Sequence, residues 1–295
     1  MLKSFIKKIR ASQPLNSVTT DFLKYMTDGC PPKFVETYMP RSGTVKVRLP
    51  NHETMKLWSA ADEYLTNHIF WHGWDSHEPE TSRLFFEYAK TSRVTFDVGA
   101  HIGYYSLLAG LANRDGDVYG FEPLPIVYSR FEKNIKLNNL QNVNGFRFAL
   151  GTHSHEAKFY HVADQSGCGI PSSSGLSFEF MSSSGVPLAT TTVPVRSLDD
   201  FVRENSITCL DLIKMDTEET EPDVLRGGLA SIKKFQPKII CEVLRAENPE
   251  LEEIISEIDY ERYLLTANGP IKQPKIVAFG ERDNYLFVPK AVTLI

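Results

Sequence analysis

Between Val94 and Leu244, short apolar runs alternate with amphipathic stretches, and that alternation predicts strands joined by helices. VTFDVG (94–99), DVYGFE (117–122), VNGFRFAL (143–150), LDLIKMD (210–216) and KIICEVL (238–244) read as buried strands. YYSLLAGLAN, IVYSRFEKNIKLN, SLDDFVREN and EPDVLRGGLASIKKF carry the helical period between them, with Ser197 or Asp199 near the cap of the third. A parallel crossover needs a helix on a sheet face, so the succession implies an open, doubly wound, mostly parallel α/β sheet covered on both sides. The tail departs from this pattern. YERYLLTA and NYLFVP are strand-like with no convincing helix between them, and they are expected to pair antiparallel at one sheet edge.

Two stretches lie outside the alternation. Ahead of it, Thr44–Leu49 reads as a strand and TSRLFFEYAK as an amphipathic helix, with the aromatic, histidine-rich HIFWHGWDSHEPE (68–80) between them. His68, His72 and His77, with Trp71 and Trp74, could stack on a ligand; packing of an N-terminal subdomain is the favoured reading. Within the alternation, Gly151 to Val195 forms an interruption with a possible hairpin, AKFYHV against TTTVPV, and two SSSG clusters at Ser172 and Ser182. It leaves near the carboxyl end of the third strand, where open α/β folds bind ligands, and is expected to be a lid. His153, His155 and His161 read as surface residues.

The net charge of -5, with no basic stripe, argues against a nucleic-acid surface and for a small-molecule partner. Cys30, Cys168, Cys209 and Cys241 are far apart, with no CxxC pair, which points to a reducing compartment and excludes a zinc knuckle. Leu2, Phe5, Ile6 and Ile9 could form one face of a short basic helix, but no apolar run there reads as a secretion signal. Nothing approaches a membrane-spanning length, so the expectation is a cytoplasmic protein with no integral membrane segment. No feature speaks to oligomeric state.

Two features carry chemistry. In FDVGAHIGYYS, Asp97, Gly99 and Gly103 stand where the first strand turns into a helix, so the backbone can approach a ligand and the helix start offers amide donors. The spacing is DxGxxxG; GxGxxG, which a nicotinamide site would want, is absent. Glu122 ends the next strand, roughly where an acid binds ribose hydroxyls in dinucleotide folds. Together they suggest a nucleoside with an amino-acid tail. The other feature is KMDTEETEPDVL (214–225), which gathers Asp216, Glu218, Glu219, Glu221 and Asp223 at one strand end. Helix-start acids, a metal or substrate site, and a general base all compete to explain it; Pro222 and Asp223 suit a first helical turn.

FDVGAHIGYYSLLAG, VYGFEP, RFALG, SLDDF, LDLIKMDTEETEPDVLRGG, KIICEV and RDNYLFVP, preceded by PETSRLF, together resemble the FkbM-type S-adenosylmethionine-dependent methyltransferases from about Glu78 to Pro289. The resemblance implies a class I methyltransferase (Rossmann-like) fold of seven strands, the last antiparallel, and O-methylation of a sugar or natural-product hydroxyl. It implies a domain at 93–295 that binds S-adenosyl-L-methionine, with the lid at 151–195, and an N-terminal extension at 1–92 on the substrate side. Asp97, Gly99 and Gly103 would surround the methionine part of the cofactor and Glu122 its ribose, with His101 in the same turn and Glu80 a further candidate for the amino group.

Two departures stand out. His101 replaces the family's asparagine, and Glu219 replaces the glycine of DxEGxE. A glutamate at positive φ is strained, so a cofactor-binding module without methyl transfer is the alternative. Transfer to an alcohol needs a proton acceptor at the strand ends; Asp216, then Glu218, then Glu242 are the candidates, and no metal is expected.

Overall fold

The computed structural model describes residues 12–27, 29–162, 171, 174–183, 185–244, 247–280 and 283–291. Leu2, Phe5, Ile6, Ile9, Cys168 and parts of both SSSG clusters lie outside them.

The chain opens with helices α1 (Gln13–Met26) and α2 (Lys33–Tyr38), a hairpin of β1 (Ser42–Arg48) and β2 (Thr54–Ala60), and helices α3 (Tyr64–His72) and α4 (Pro79–Ala89). The α/β region follows: β3 (Val94–Val98), α5 (Tyr104–Ala112), β4 (Asp117–Phe121), α6 (Pro125–Leu137) and β5 (Val143–Phe146). A second small sheet comes from β6 (Ala149–Leu150), β7 (His155–Val162), β8 (Ser174–Gly175) and β9 (Leu188–Arg196), with α7 (Phe178–Ser183) between the last two. The chain then returns through α8 (Leu198–Glu204), β10 (Leu212–Met215), α9 (Glu221–Arg226), α10 (Leu229–Phe235), β11 (Lys238–Val243), α11 (Pro249–Glu257), β12 (Tyr260–Thr266), β13 (Gly269–Lys272) and β14 (Asp283–Pro289).

The main sheet has the order β13-β12-β14-β11-β10-β3-β4-β5. Strands β5, β4, β3, β10 and β11 run parallel, and β14 is antiparallel to both β11 and β12. The seven strands expected from sequence are present; the eighth, β13, pairs with β12 as an outer hairpin. NYLFVP is therefore not an edge strand: it fills the gap between β11 and β12. The strand read at 143–150 divides, since Val143–Phe146 stays in the main sheet while Ala149–Leu150 pairs with β9. The helix read at 221–235 also breaks, at Gly227 and Gly228. A side chain on Gly227 would meet the Gly151 carbonyl oxygen at 2.0 Å, so the position admits only glycine, and the Gly227 carbonyl accepts from the Asp199 N–H at 2.9 Å instead of from a following turn of helix. The hairpin expected within 151–195 forms, with Ala157 opposite Val193.

Strand alternation assigns the two faces. Phe96, Val98, Ile213, Met215, Ile239 and Cys241 enter one apolar cluster with α8–α11. Leu212, Ile240, Leu286 and Val288 enter the other, with α4, α5, α6 and the β1–β2 hairpin. On this second face the period places Asp97, Lys214, Glu242 and Asn284 next to one another, as a buried polar row across four adjacent strands.

Candidate active site

The chain moves outward from β3 in one direction to β4 and β5, and later in the other to β10 and β11, so the strand order reverses between β3 and β10. Open α/β sheets bind ligands at such a reversal, beyond the carboxyl strand ends. A cavity of about 580 Å³ lies there.

Its floor is the β3–α5 turn. Gly99 has φ +80°, and a Cβ on it would sit 1.9 Å from the Asp216 carbonyl oxygen, so only glycine lets the two strand ends close up. Gly103 has φ +89° and faces the Phe131 ring, which a Cβ would meet at 2.1 Å. Gly103 thus shapes the turn by seating α6, and it is not among the residues lining the cavity. His101, at φ +50°, lines the cavity, and its buried Nε2 has no hydrogen-bond partner among the described residues.

Asp97 is buried and accepts a 2.6 Å hydrogen bond from the Ser106 hydroxyl. Burial pushes its carboxyl up to about 6, against the pull of Ser106 and Lys214. Glu122 leaves the end of β4, also buried, and accepts from the His101 N–H (3.0 Å) and the Leu124 N–H (2.8 Å). Burial dominates, raising it to about 8. One carboxylate thereby fixes both the turn and the start of the next helix.

The opposite wall comes from β10 and the N-terminal elements. Lys214 is wholly buried, with its Nζ 4.0 Å from Asp216 Oδ2 and 5.1 Å from the centre of the Tyr105 ring. Burial works against the ammonium, but Glu78, Asp216 and Glu242 outweigh it and hold the lysine charged above its ordinary range. One oxygen from each of those three carboxylates lies within 4.8 Å of the others. Glu78 also accepts from the Tyr105 hydroxyl at 2.7 Å.

Of the sequence candidates, Asp97, Gly99, His101, Glu122, Asp216 and Glu218 line the cavity. Glu242 does not; it stands one strand away, buried in the lysine cluster. Glu80 does not line it either, and Glu78 occupies the wall position instead. Glu221 is no mere helix-start acid: buried, it accepts from both the Thr217 N–H and hydroxyl at 2.9 Å, closing the loop after β10. Sequence reading also passed over Asn284, whose buried Oδ1 has no partner among the described residues; His77, read within the aromatic patch with packing favoured, lines the cavity with its imidazole pushed below its usual range by burial. Asn284 carried a signal, a polar residue opening an apolar strand; His77 was hidden in the aromatic patch. Leu150, Phe159 and Ser174 from the second sheet, with Pro171 and Leu176 flanking β8, complete the wall.

Strand order, the antiparallel β14 and the switch-point cavity define a class I methyltransferase, Rossmann-like fold. A family model described as the Methyltransferase FkbM domain matches residues 97–265, more than half the chain, and the chain belongs to that family. Methyltransferase 1 of Beauveria bassiana (strain ARSEF 2860) is 29% identical over 147 residues, which are 44% of this chain and 56% of that protein, so the chain spans only about half its length. Among solved structures, methyltransferase FkbM from Methylobacillus flagellatus KT is similar at a TM-score of 0.43 and 15% identity, over 76% of this chain and 54% of that one. TYW2 of M. jannaschii, solved in complex with AdoMet, is similar at a TM-score of 0.39 and 14% identity, over 84% and 85% of the two chains. No helix among the described residues is long and apolar enough to cross a membrane.

Proposed function

We propose that this chain is an S-adenosyl-L-methionine-dependent O-methyltransferase acting on a hydroxyl of a small molecule, a saccharide or glycoconjugate being the preferred class. The observation that carries the reading is the charge balance of the switch-point cavity. Asp97, Glu122, Asp216 and Glu78 line it, with Lys214 the cation buried beside them. With Glu122 holding its proton near neutral pH, the remaining acids still outnumber the one base, which favours a cationic ligand, and a bound cation would draw the raised Asp97 carboxyl back towards its ordinary range. The unpartnered His101 Nε2 and Asn284 Oδ1 fit a polar ligand in the same cavity.

The cofactor, when bound, supplies an electrophilic methyl on a sulfonium centre. Asp97 would hold its amino group, with Ser106 keeping the carboxylate in place, and Glu122 its ribose. Asp216, whose side chain is 28% exposed while Lys214 and Glu242 are buried, would take the acceptor proton. Glu218 would orient the acceptor, and Glu242 would hold Lys214, and through it Asp216. Phe159 and Leu176 from the 151–195 segment would exclude water from the acceptor.

The test is calorimetric and radiochemical. S-adenosyl-L-methionine should raise the melting temperature, and Asp97→Ala should remove the shift. A tritiated-methyl screen over nucleotide sugars, glycans and polyketides should label one class, and Asp216→Asn should lower that rate by about 10²-fold or more while leaving the thermal shift intact. No stabilisation by the cofactor or its homocysteine product overturns the proposal. Binding without transfer to any pool would favour the second reading, a cofactor-binding module, which the strained Glu219 supports.

A further inference from the structure

Helix α3 places His68 and His72 one turn apart, so both rings leave the same helix face, with centroids 4.6 Å apart. Helix α2 brings Glu36 against them. Its Oε1 lies 3.5 Å from His68 Nδ1 and 3.3 Å from His72 Nε2. One donor atom from each of the three residues falls within 4.8 Å of the others. A tetrahedral zinc ion with ligands at 2.0–2.1 Å has donor-to-donor edges of about 3.3 Å, and two of the three edges here already have nearly that length.

Proton bookkeeping sharpens this. His68 Nε2 lies 3.3 Å from the Ser76 carbonyl, which can only accept, so Nε2 carries the hydrogen. A neutral ring then turns its Nδ1 lone pair towards a carboxylate oxygen, which is also an acceptor. A cation between those two atoms, a proton or a metal, would satisfy both lone pairs at once; the Tyr64 hydroxyl is the other donor within reach of Nδ1. A backbone carbonyl holding the far nitrogen of a ligating imidazole is the usual outer support of a metal-bound histidine. The Tyr64 ring stacks on His68 at 5.2 Å and its hydroxyl lies 3.4 Å from Nδ1, closing one side. His72 is one-third exposed, leaving the other side open to water as a further ligand.

We propose that Glu36, His68 and His72 form a binding site for a zinc-class divalent transition metal. The nitrogen-rich donor set excludes magnesium and calcium, which take oxygen ligands. The ion would tie α2 and α3 to the loop before α4. Ser76 adjoins His77 and Glu78, which line the cavity, as does Tyr64. The role is structural: none of the three donors lines the cavity, so the metal steadies its N-terminal wall and takes no part in methyl transfer.

The experiment uses the full chain, free of any affinity tag, stripped with chelator and titrated with cobalt(II), then back-titrated with zinc. Expected are visible d–d bands saturating at one equivalent at micromolar concentration, displaced by zinc, and a zinc-dependent rise in melting temperature. His72→Ala and Glu36→Gln should each weaken binding at least tenfold, comparable to or beyond the usual loss on removing an outer support. Both change partly exposed groups, 33% for His72 and 22% for Glu36, so the apo variants should melt close to the apo parent. The double variant His153→Ala/His155→Ala, removing a stacked histidine pair elsewhere, should bind unchanged. Absence of a saturable band, or a band that His72→Ala and Glu36→Gln leave at full strength, overturns the proposal and identifies the cluster as an imidazolium–carboxylate pair.

Discussion

A carboxyl group as deeply buried as Glu122 keeps its proton far above the ordinary range, and this has a measurable consequence. Burial places it at about 8 in the folded chain, while in the unfolded chain it titrates near 4.3. The folded state therefore holds a proton that the unfolded state releases, so its contribution to stability is full below about pH 4 and is lost as pH rises through about 8. His77, lowered by burial, acts only on the acid side of its usual value. Between about pH 7 and 8.5, the melting temperature of the ligand-free protein should fall, and Glu122→Gln should flatten that slope. A second prediction concerns Glu218 and Glu219, at φ +55° and +75°. A non-glycine residue in left-handed conformation costs roughly 1–2 kcal/mol, and a glycine returns roughly 0.4–1 kcal/mol of that as unfolded-state entropy. Glu219→Gly should therefore stabilise the chain by about 0.5–1 kcal/mol in denaturant unfolding. Destabilisation would mean that the Glu219 side chain contributes more than the backbone strain costs. The acidic run was legible as a cluster with mixed roles, but not the division itself. Glu221 closes the loop onto Thr217 where the sequence offered a helix-start acid, and Glu242 stands beside Lys214 because the two come from neighbouring strands.

At the scale of elements, the β3–α5 turn depends on helix α6, which sequence shows as a separate unit. Phe131 of α6 rests against Gly103, and its ring also lies 2.5 Å from where a Cβ on Gly120 would be. One aromatic ring thus requires glycine on two adjoining elements. Gly103→Ala meets both the positive φ and the ring, and should destabilise the chain by roughly 2–4 kcal/mol, weakening cofactor-dependent thermal shifts along with it. Calorimetry with and without ligand separates the two losses; a fully stable variant would show that the turn relaxes. The same kind of long-range packing explains what sequence misplaced. Buried strands announce themselves by unbroken apolar runs, so β3, β4, β10 and β11 were readable. The break at Gly227–Gly228 was not, because the groups packed against it, the Gly151 carbonyl and the Asp199 N–H, are distant in sequence. Asp199 reads as a cap for its own helix, yet it accepts from the Ala230 and Ser231 N–H groups and caps α10, leaving Ser197 to cap α8. Periodicity finds elements; which element a polar side chain serves is decided by the packing.

For the whole molecule, the N-terminal hairpin and the sheet share one apolar cluster that runs from Val45 and Leu57 through Ile102 and Phe131 to Leu286. Polar groups join them as firmly. On α6, Asn134 and Asn138 lie one turn apart and act as a surrogate strand for the free edge of β2. Asn138 accepts from the Lys56 N–H at 2.8 Å and donates to the Lys56 carbonyl at 2.7 Å. Asn134 accepts from the Trp58 N–H at 2.8 Å and donates to the Ile102 carbonyl at 2.9 Å, reaching from the hairpin to the β3–α5 turn. Arg130 adds a largely buried pair with Asp62, which itself lines the cavity. Removing either amide leaves buried backbone donors and acceptors unmet, at about 1–3 kcal/mol each. If residues 1–92 and 93–295 fold as one cooperative body, as this shared core requires, Asn134→Ala and Asn138→Ala should lower a single melting transition without splitting it. The double variant should approach additivity or exceed it, since both act on one strand edge. A separate low-temperature transition, with the sheet's own melting unmoved, would show instead that the hairpin is a dispensable attachment, and the acceptor side of the cavity would then have to be sought in the 151–195 segment alone.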